Sequence, residues 1–251
     1  MVSIREIFSN WLVFYFLIIL SWLTVLVMGL AENFSGDIAL MKIVMEICSS
    51  SVFSVNIFGL FLMWVLMSIA MMAPTIIPTL ETYQDLLIAG AKKKNSFWAF
   101  VLGFISVWVF FSLIGSICQK LFTQSYFLDD SGAFLNTKLS ASFLLVAGLY
   151  QLSPLKEACL TKCRSPFTFF LQNWRDGISG SYSMGLNLGI FCLGCCWALM
   201  FLAFVGGTMN LLFMVLMTFL MILEKLPDFG KFITKPLSLI LIASATMLVW
   251  F

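Results

Sequence analysis

The chain has 251 residues, of which 61% are hydrophobic and only 10% are charged, and its formal net charge is +2. Soluble domains carry about 25% charged residues, so this composition excludes an ordinary soluble protein, and nothing in it indicates nucleic-acid binding. Histidine is absent from the chain. Because histidine is the commonest metal ligand in proteins, any metal site here has to use cysteine, methionine, carboxylate or backbone ligands.

Seven apolar segments follow one another along the chain and predict an all-α fold, a polytopic bundle of transmembrane helices. Several of them reach the roughly 20 residues that a helix needs to cross a bilayer core. They lie at about 11–30, 53–78, 97–118, 132–152, 182–206, 208–224 and 236–251. No internal repeat or separate soluble domain interrupts them, so residues 1–251 are predicted to form one integral membrane domain.

The distribution of lysine and arginine predicts how this bundle is oriented. Alternate connections between the segments contain 11 basic residues on one side of the membrane and three, Lys42, Lys120 and Lys138, on the other. In membrane proteins the connections richer in lysine and arginine face the cytoplasm. The N-terminus is therefore predicted to be cytoplasmic, and the seventh segment to end at the opposite face.

Five of the seven cysteines form two sets with helical spacing. The first set lies in PLKEACLTKCR, and the second lies in FCLGCCWALM, where Met200 extends the same helix face by one turn. Two helices that each present a pair of thiols can meet to form an S₃ or S₄ cage, which suits Zn²⁺, Cu(I) or an iron–sulfur cluster. The five cysteines are Cys159, Cys163, Cys192, Cys195 and Cys196.

The spacing of these cysteines leaves two questions open. Small residues at such intervals also let membrane helices pack closely, so packing is the competing interpretation, and we apply it to the isolated Cys48 and Cys118. The second set begins about ten residues into its segment, roughly 15 Å deeper than the first set at 1.5 Å per residue. The two sets therefore form either one shared cage or two sites in series.

Methionine provides a second group of soft donors. FLMWVLMSIAMMAP places Met63, Met67 and Met71 at successive steps of four residues, with Met72 beside them. Thioethers are neutral and suit Cu(I), so Met67, Met71 and Met72 are candidate ligands. The alternative is that these side chains fill gaps between helices.

Charged residues at the ends of membrane segments are functional candidates by default. Glu224 and Lys225 close the sixth segment, and Pro74 and Pro78 interrupt the second. We expect the two charged residues to pair with each other or to mark the membrane interface. The prolines free backbone carbonyls that a neighbouring polar group or a cavity has to satisfy.

Several motifs together resemble a bacterial family of predicted metal-binding integral membrane proteins, a domain of unknown function. The motifs are WVLMSIAMMAP, GLYQLSPLKEACLTKCRSP, NWRDG, MGLNLGIFCLGCCWALM, FVGGTMNLLFM and EKLP, spread over about residues 60–230. The resemblance implies a multi-pass protein of the bacterial inner (cytoplasmic) membrane. It also implies a metal site at the matching positions, which are Met67, Met71, Met72, Cys159, Cys163, Cys192, Cys195, Cys196, Met200 and Glu224.

One position departs from the family pattern. Many members carry a histidine where this chain has Leu188. If that histidine were an essential ligand, this chain would have lost the site. The resemblance therefore implies either an all-sulfur site in this protein or no metal site.

From these patterns we predict a membrane protein that binds a soft metal ion, Cu(I) ahead of Zn²⁺, for transport or for delivery to a membrane enzyme. Two thiolates with Cu(I) leave a charge of −1, whereas four with Zn²⁺ leave −2, and apolar surroundings favour the smaller charge. The predicted partners are the lipid bilayer and a membrane protein or a metal chaperone. No catalytic triad, P-loop or dinucleotide fingerprint is present, so a non-enzymatic role is favoured.

Two other functions remain as alternatives. The CLGC spacing fits a membrane dithiol–disulfide oxidoreductase, although the pair lies well inside a helix rather than at its end. A structural or assembly subunit without a site of its own is also compatible with nearly all-apolar helices.

Overall fold

The structure is a computed structural model that describes residues 4–31, 57–89, 95–129, 131–208, 210–227 and 230–250. Lys42 and Cys48 lie outside the described residues. Where it is described the chain is helical, apart from turns and an antiparallel bridge between Leu128 and Phe134. The predicted all-α fold is confirmed for these residues. The helices are α1 (Ile4–Ala31), α2 (Ile57–Met72), α3 (Ile77–Ala89), α4 (Ser96–Gln124), α5 (Thr137–Gln151), α6 (Pro154–Arg164), α7 (Pro166–Asn173), α8 (Gly177–Phe201), α9 (Ala203–Gly206), α10 (Leu211–Lys225) and α11 (Gly230–Trp250).

Five helical stretches within the described residues are long and apolar enough to cross a membrane. They are Phe8–Val27, Ile57–Ala89, Ser96–Gln124, Gly177–Gly206 and Phe232–Trp250, and each overlaps one of the predicted segments. The two remaining predicted segments correspond to α5 and α10, which have 15 residues each. Helices of that length span about 22 Å, less than the hydrocarbon core of about 30 Å. Seven crossings and a cytoplasmic N-terminus therefore remain predictions.

Both short helices start late because a polar residue caps them. Asn136 Oδ1 accepts a hydrogen bond from Lys138 N at 2.9 Å, which starts α5 five residues after the predicted boundary at 132. Asn210 Oδ1 accepts from Phe213 N at 3.2 Å at the start of α10. Asparagine side chains at this position satisfy backbone N–H groups that have no partner within the helix.

Helices α4 and α8 form the closest pair in the described fold, and glycines bring their backbones together. A Cβ atom added at Gly103 on α4 would collide with the carbonyl oxygen of Tyr182 on α8. A Cβ added at Gly185 on α8 would collide with the carbonyl oxygen of Phe100 on α4. Glycines at such contacts allow membrane helices to approach backbone to backbone.

Replacing Gly185 with alanine is expected to lower the free energy of unfolding by about 1–3 kcal/mol, since the added methyl meets rigid backbone. Chemical unfolding in detergent micelles, followed by circular dichroism, measures this change. Ile190→Ala on the same helix is the control, because Ile190 is 51% exposed and its loss opens no buried cavity. Equal stability of the two variants would contradict the close contact.

Buried polar groups fix α2 against α4. Trp64 Nε1 on α2 donates to Gln119 Oε1 on α4 at 2.7 Å. The hydroxyl groups of Ser68 and Ser112 lie 3.1 Å apart one turn further along. Polar groups that are buried need such partners, so these pairs set the register of the helix that carries the candidate methionines.

Helix α6 forms after Pro154, as the cysteine spacing requires. Proline at the first helical turn has no N–H to leave unsatisfied, and Ser153 Oγ accepts a hydrogen bond from Lys156 N at 3.1 Å. The helix then packs against α8. The first cysteine set is thereby placed beside the helix that carries the second.

Candidate metal centre

Three thiols of α8 meet in a buried group, here called the thiol cluster: Cys192, Cys195 and Cys196. Their Sγ atoms all lie within 4.8 Å of one another, and each residue is 1% exposed. The sulfurs of Cys195 and Cys196 are 3.2 Å apart, and Cys195 Sγ donates to the carbonyl oxygen of Cys192 at 3.1 Å. The helical spacing of one turn therefore brings together three soft donors on one face of α8.

Helix α6 places the other two thiols next to this cluster. The thiol of Cys163 lies near that of Cys195 and interacts with it electrostatically. Cys159 lies against Gly194, where an added Cβ would be 2.7 Å from the Cys159 sulfur. Both α6 thiols are half-buried, and burial raises the pKa of the Cys159 thiol, so without a metal it is protonated at neutral pH.

The two cysteine sets are therefore neighbours in space. The depth difference expected from the sequence does not separate them, because α6 runs alongside α8 as far as Gly194 and Cys195. Tyr150, at the end of α5, closes this side by donating from its hydroxyl to the carbonyl oxygen of Gly194. Its ring also packs edge-on against Trp197 at 4.9 Å.

Lys225 contributes a positive charge to the thiol cluster from α10. Its Nζ donates to Cys192 Sγ at 2.9 Å and to Thr75 Oγ1 at 2.7 Å. Thr75 in turn donates to the carbonyl oxygen of Met72 at 2.8 Å, within the short 3₁₀ turn that begins at Pro74. This hydroxyl satisfies the Met72 carbonyl at the end of α2. The ammonium supplies one positive charge directly at the cluster.

The candidate methionines are all buried, with exposures of 1–4%. Among these methionines, Met72 is connected to the thiol cluster by described hydrogen bonds. They run from its carbonyl oxygen through Thr75 to Lys225 and do not involve its sulfur. Met200 lies one helical turn beyond Cys196, on the same buried face of α8. The role of Met67, Met71, Met72 and Met200 as ligands stays a prediction.

A buried ion pair beside the thiols did not emerge from the sequence. Lys156 Nζ donates to the two carboxylate oxygens of Glu224 at 2.9 and 2.7 Å, and both side chains are 1% exposed. Lys156 also donates to Gln151 Oε1. Arg164 Nε donates to the carbonyl oxygen of Glu224 at 2.9 Å. Glu224 and Lys225 thus have separate partners, and the expectation that they pair with each other was wrong.

The spacing within α6 contains a signal for this second group of residues. Lys156, Leu160 and Arg164 recur at steps of four residues and form one buried face, next to the face that carries Cys159 and Cys163. A cation at both ends of an otherwise apolar stripe indicates a buried acidic partner, because unpaired charges are not buried. Glu224, which closes an otherwise apolar segment, was an acidic candidate for that partner.

The fold and the site define an all-helical protein with membrane-length apolar helices and a buried cluster of soft ligands. The chain belongs to the PpoB2 copper chaperone family, whose family model matches residues 61–248. No match was found among curated proteins or among solved structures. The predicted membership of a metal-related family is confirmed, and the cysteine cluster fits a copper-related role.

Proposed function

We propose that this protein is a copper chaperone of the bacterial inner membrane that binds Cu(I) at the thiol cluster and passes it to a membrane enzyme or across the bilayer. The observation that carries this proposal is the position of three buried Sγ atoms within 4.8 Å of one another. The copper chaperone family match supports the identity of the metal. In this proposal copper is cargo, and the seven apolar segments all cross the membrane.

The donor set fits a soft monovalent ion. Thiolates select Cu(I) and Zn²⁺ over hard cations, and a metal–sulfur distance of about 2.3 Å puts three surrounding sulfurs about 4 Å apart. The spread of 4.8 Å in the thiol cluster accommodates that geometry with small side-chain movements. Cys163, whose thiol lies near that of Cys195, is available as a further ligand.

The charges around the cluster favour copper over zinc. Three cations face two carboxylates there, which leaves one positive charge in excess: Lys156, Arg164 and Lys225 against Glu157 and Glu224. Cu(I) with two thiolates of the cluster, the third cysteine staying a neutral thiol, carries −1 and brings this group to neutrality. Zn²⁺ with four thiolates carries −2 and leaves a net charge, which low-dielectric surroundings disfavour.

Elemental analysis of protein purified anaerobically and supplied with Cu(I) tests the proposal. We expect about one copper per chain, and loss of that copper in the double variant Cys192→Ser/Cys196→Ser, because a hydroxyl is a poor ligand for a soft metal. Cys118→Ser is the matched control, since Cys118 is a half-buried free thiol of α4 outside the two cysteine sets. Absence of copper from the unaltered protein, or its retention by the double variant, would contradict the proposal.

A dithiol oxidoreductase is the second candidate, favoured by one observation. Cys192 and Cys195 have the Cys-x-x-Cys spacing, and Lys225 Nζ lies 2.9 Å from Cys192 Sγ. Both thiols are nonetheless 1% exposed, so a protein substrate has no access to them. A disulfide between these residues that forms and reduces reversibly, detected by alkylation and mass spectrometry, would support this activity over copper binding.

A further inference from the structure

The five thiols around the candidate centre form a series from half-buried to fully buried. Cys159 and Cys163 on α6 are half-buried, whereas Cys195, Cys196 and Cys192 on α8 are 1% exposed. Their positions follow the same order: Cys159 lies against Gly194, the Cys163 thiol lies near that of Cys195, and Cys195 Sγ lies 3.2 Å from Cys196 Sγ. Lys225 ends the series at Cys192.

The buried end of this series is closed. Lys225, itself held by Thr75, donates to Cys192, and Tyr150, whose ring packs against Trp197, donates to the carbonyl oxygen of Gly194. A donor molecule therefore has no direct contact with the thiol cluster. The half-buried thiols of α6 provide the remaining approach among the described residues.

We infer that Cys159 is the receiving thiol, which takes Cu(I) from a thiolate donor and passes it by way of Cys163 to the thiol cluster. This inference rests on the proposed function and adds the route by which the metal is loaded. The donor class is a thiolate complex of Cu(I). Cys163 is the second step because it lies one turn after Cys159 on α6 and its thiol is near that of Cys195.

Each step is a ligand exchange without a change of oxidation state. The Cys159 sulfur bonds Cu(I) while the bond between copper and the donor thiolate breaks, and the proton of the Cys159 thiol moves to the departing thiolate. Cys163 then replaces Cys159 on the copper and returns a proton to it, and Cys195 replaces Cys163 in the same way. Copper stays Cu(I) throughout, and no external oxidant or reductant is consumed.

Gly194 gives this route a second, independent test. Its hydrogen faces the Cys159 sulfur, and a Cβ there would approach that sulfur to 2.7 Å. Because the contact is with a side chain, the Cys159 thiol can turn away rather than strain the backbone. Gly194→Ala therefore keeps all five thiols and displaces the receiving one.

The experiment mixes full-length apo-protein in detergent with Cu(I)–glutathione under anaerobic conditions and follows the loading rate and the final copper content. We expect Cys159→Ser and Gly194→Ala to load about tenfold more slowly or worse, because a positioned exchange becomes a bimolecular encounter with a buried site. Final copper content and affinity for Cu(I), measured by competition with bicinchoninate, are expected to be unchanged in Gly194→Ala, which keeps all five thiols. Cys118→Ser is the control and should load at the rate of the unaltered protein.

The outcomes separate the route from the proposed function. Normal loading rates in both variants would overturn the role of Cys159 as receiving thiol and leave copper binding intact. Loss of copper at equilibrium in Cys159→Ser would show that Cys159 is a permanent ligand, and would also overturn its role as a receiving thiol. Failure of the unaltered protein to take up any Cu(I) would overturn both proposals.

Discussion

Replacing Glu224 with alanine is expected to lower the free energy of unfolding by about 3–5 kcal/mol, because the change leaves an uncompensated charge in the interior. Glu224 is bonded through both carboxylate oxygens to Lys156, and each side chain is 1% exposed. Without the carboxylate, Lys156 keeps Gln151 as its described partner, and an amide oxygen cannot balance an ammonium charge. Chemical unfolding in detergent micelles measures the loss.

Two further variants make this prediction specific. Glu157 also forms an ion pair, with Arg164 at 3.1 Å, but it is 51% exposed. A carboxylate that is exposed to water contributes about 1 kcal/mol or less through an ion pair, and Arg164 keeps the Glu224 carbonyl as an acceptor, so Glu157→Ala should have a small effect. Lys156→Met/Glu224→Leu removes both charges and should recover most of the stability, since a buried pair and an apolar pair of similar size are often equivalent. Equal effects of Glu224→Ala and Glu157→Ala would contradict the burial of the pair.

The ion pair also has a consequence for the candidate metal centre. It joins α6 to α10, and Arg164 adds a second link by donating to the Glu224 carbonyl at 2.9 Å. Helix α6 carries Cys159 and Cys163, and α10 ends in Lys225. We therefore expect partial loss of copper binding in Glu224→Ala even under conditions where the protein remains folded.

The thiols of the site could be found from the sequence because helical spacing is a local rule. Residues three or four apart share a face of any α-helix, so Cys192, Cys195 and Cys196 were grouped without knowledge of the fold. The meeting of these thiols with Cys159 and Cys163 could not be derived in this way. That meeting depends on how α7 and the turn after it lead the chain back, so that α8 packs beside α6. This arrangement is a tertiary feature.

The charged residues show where local rules fail. Glu224 and Lys225 are neighbours in the sequence, but consecutive side chains on an α-helix point about 100° apart, so they face different helices. Lys156 lies in a polar connection whose composition indicates a solvated segment. Its burial follows from the face that α6 turns towards α10, which composition alone does not reveal.

The number of membrane crossings is a third feature that the sequence alone does not determine. Hydropathy located all seven helical segments, because long apolar runs fold as helices whether or not they reach across a bilayer. The lengths of α5 and α10 depend instead on Asn136 and Asn210, which start these helices late. A single polar residue changes the mean hydropathy of an apolar run very little, although its hydrogen bond to the backbone sets where the helix starts.

Replacing Lys225 with methionine is expected to weaken Cu(I) binding by about 30-fold, which corresponds to about 2 kcal/mol. The Nζ atom lies 2.9 Å from Cys192 Sγ, and it supplies the positive charge that balances a copper–dithiolate complex of −1. At that range a charge pair is worth several kcal/mol at an effective dielectric constant of about 20, and relief of the lysine's own desolvation offsets part of it. Methionine has a similar length but no charge.

Competition with bicinchoninate measures this affinity, and Lys225→Arg serves as the matched control because it keeps the positive charge. We expect the arginine variant to bind Cu(I) within about fivefold of the unaltered protein, since its longer planar group donates to sulfur with different geometry. Tighter binding in Lys225→Met would mean that the ammonium repels the incoming cation more than it stabilises the thiolates. The charge balance that favours Cu(I) over Zn²⁺ at this site would then be wrong. Weaker binding in the methionine variant but not in the arginine variant would identify Lys225 as the counter-charge of the bound complex.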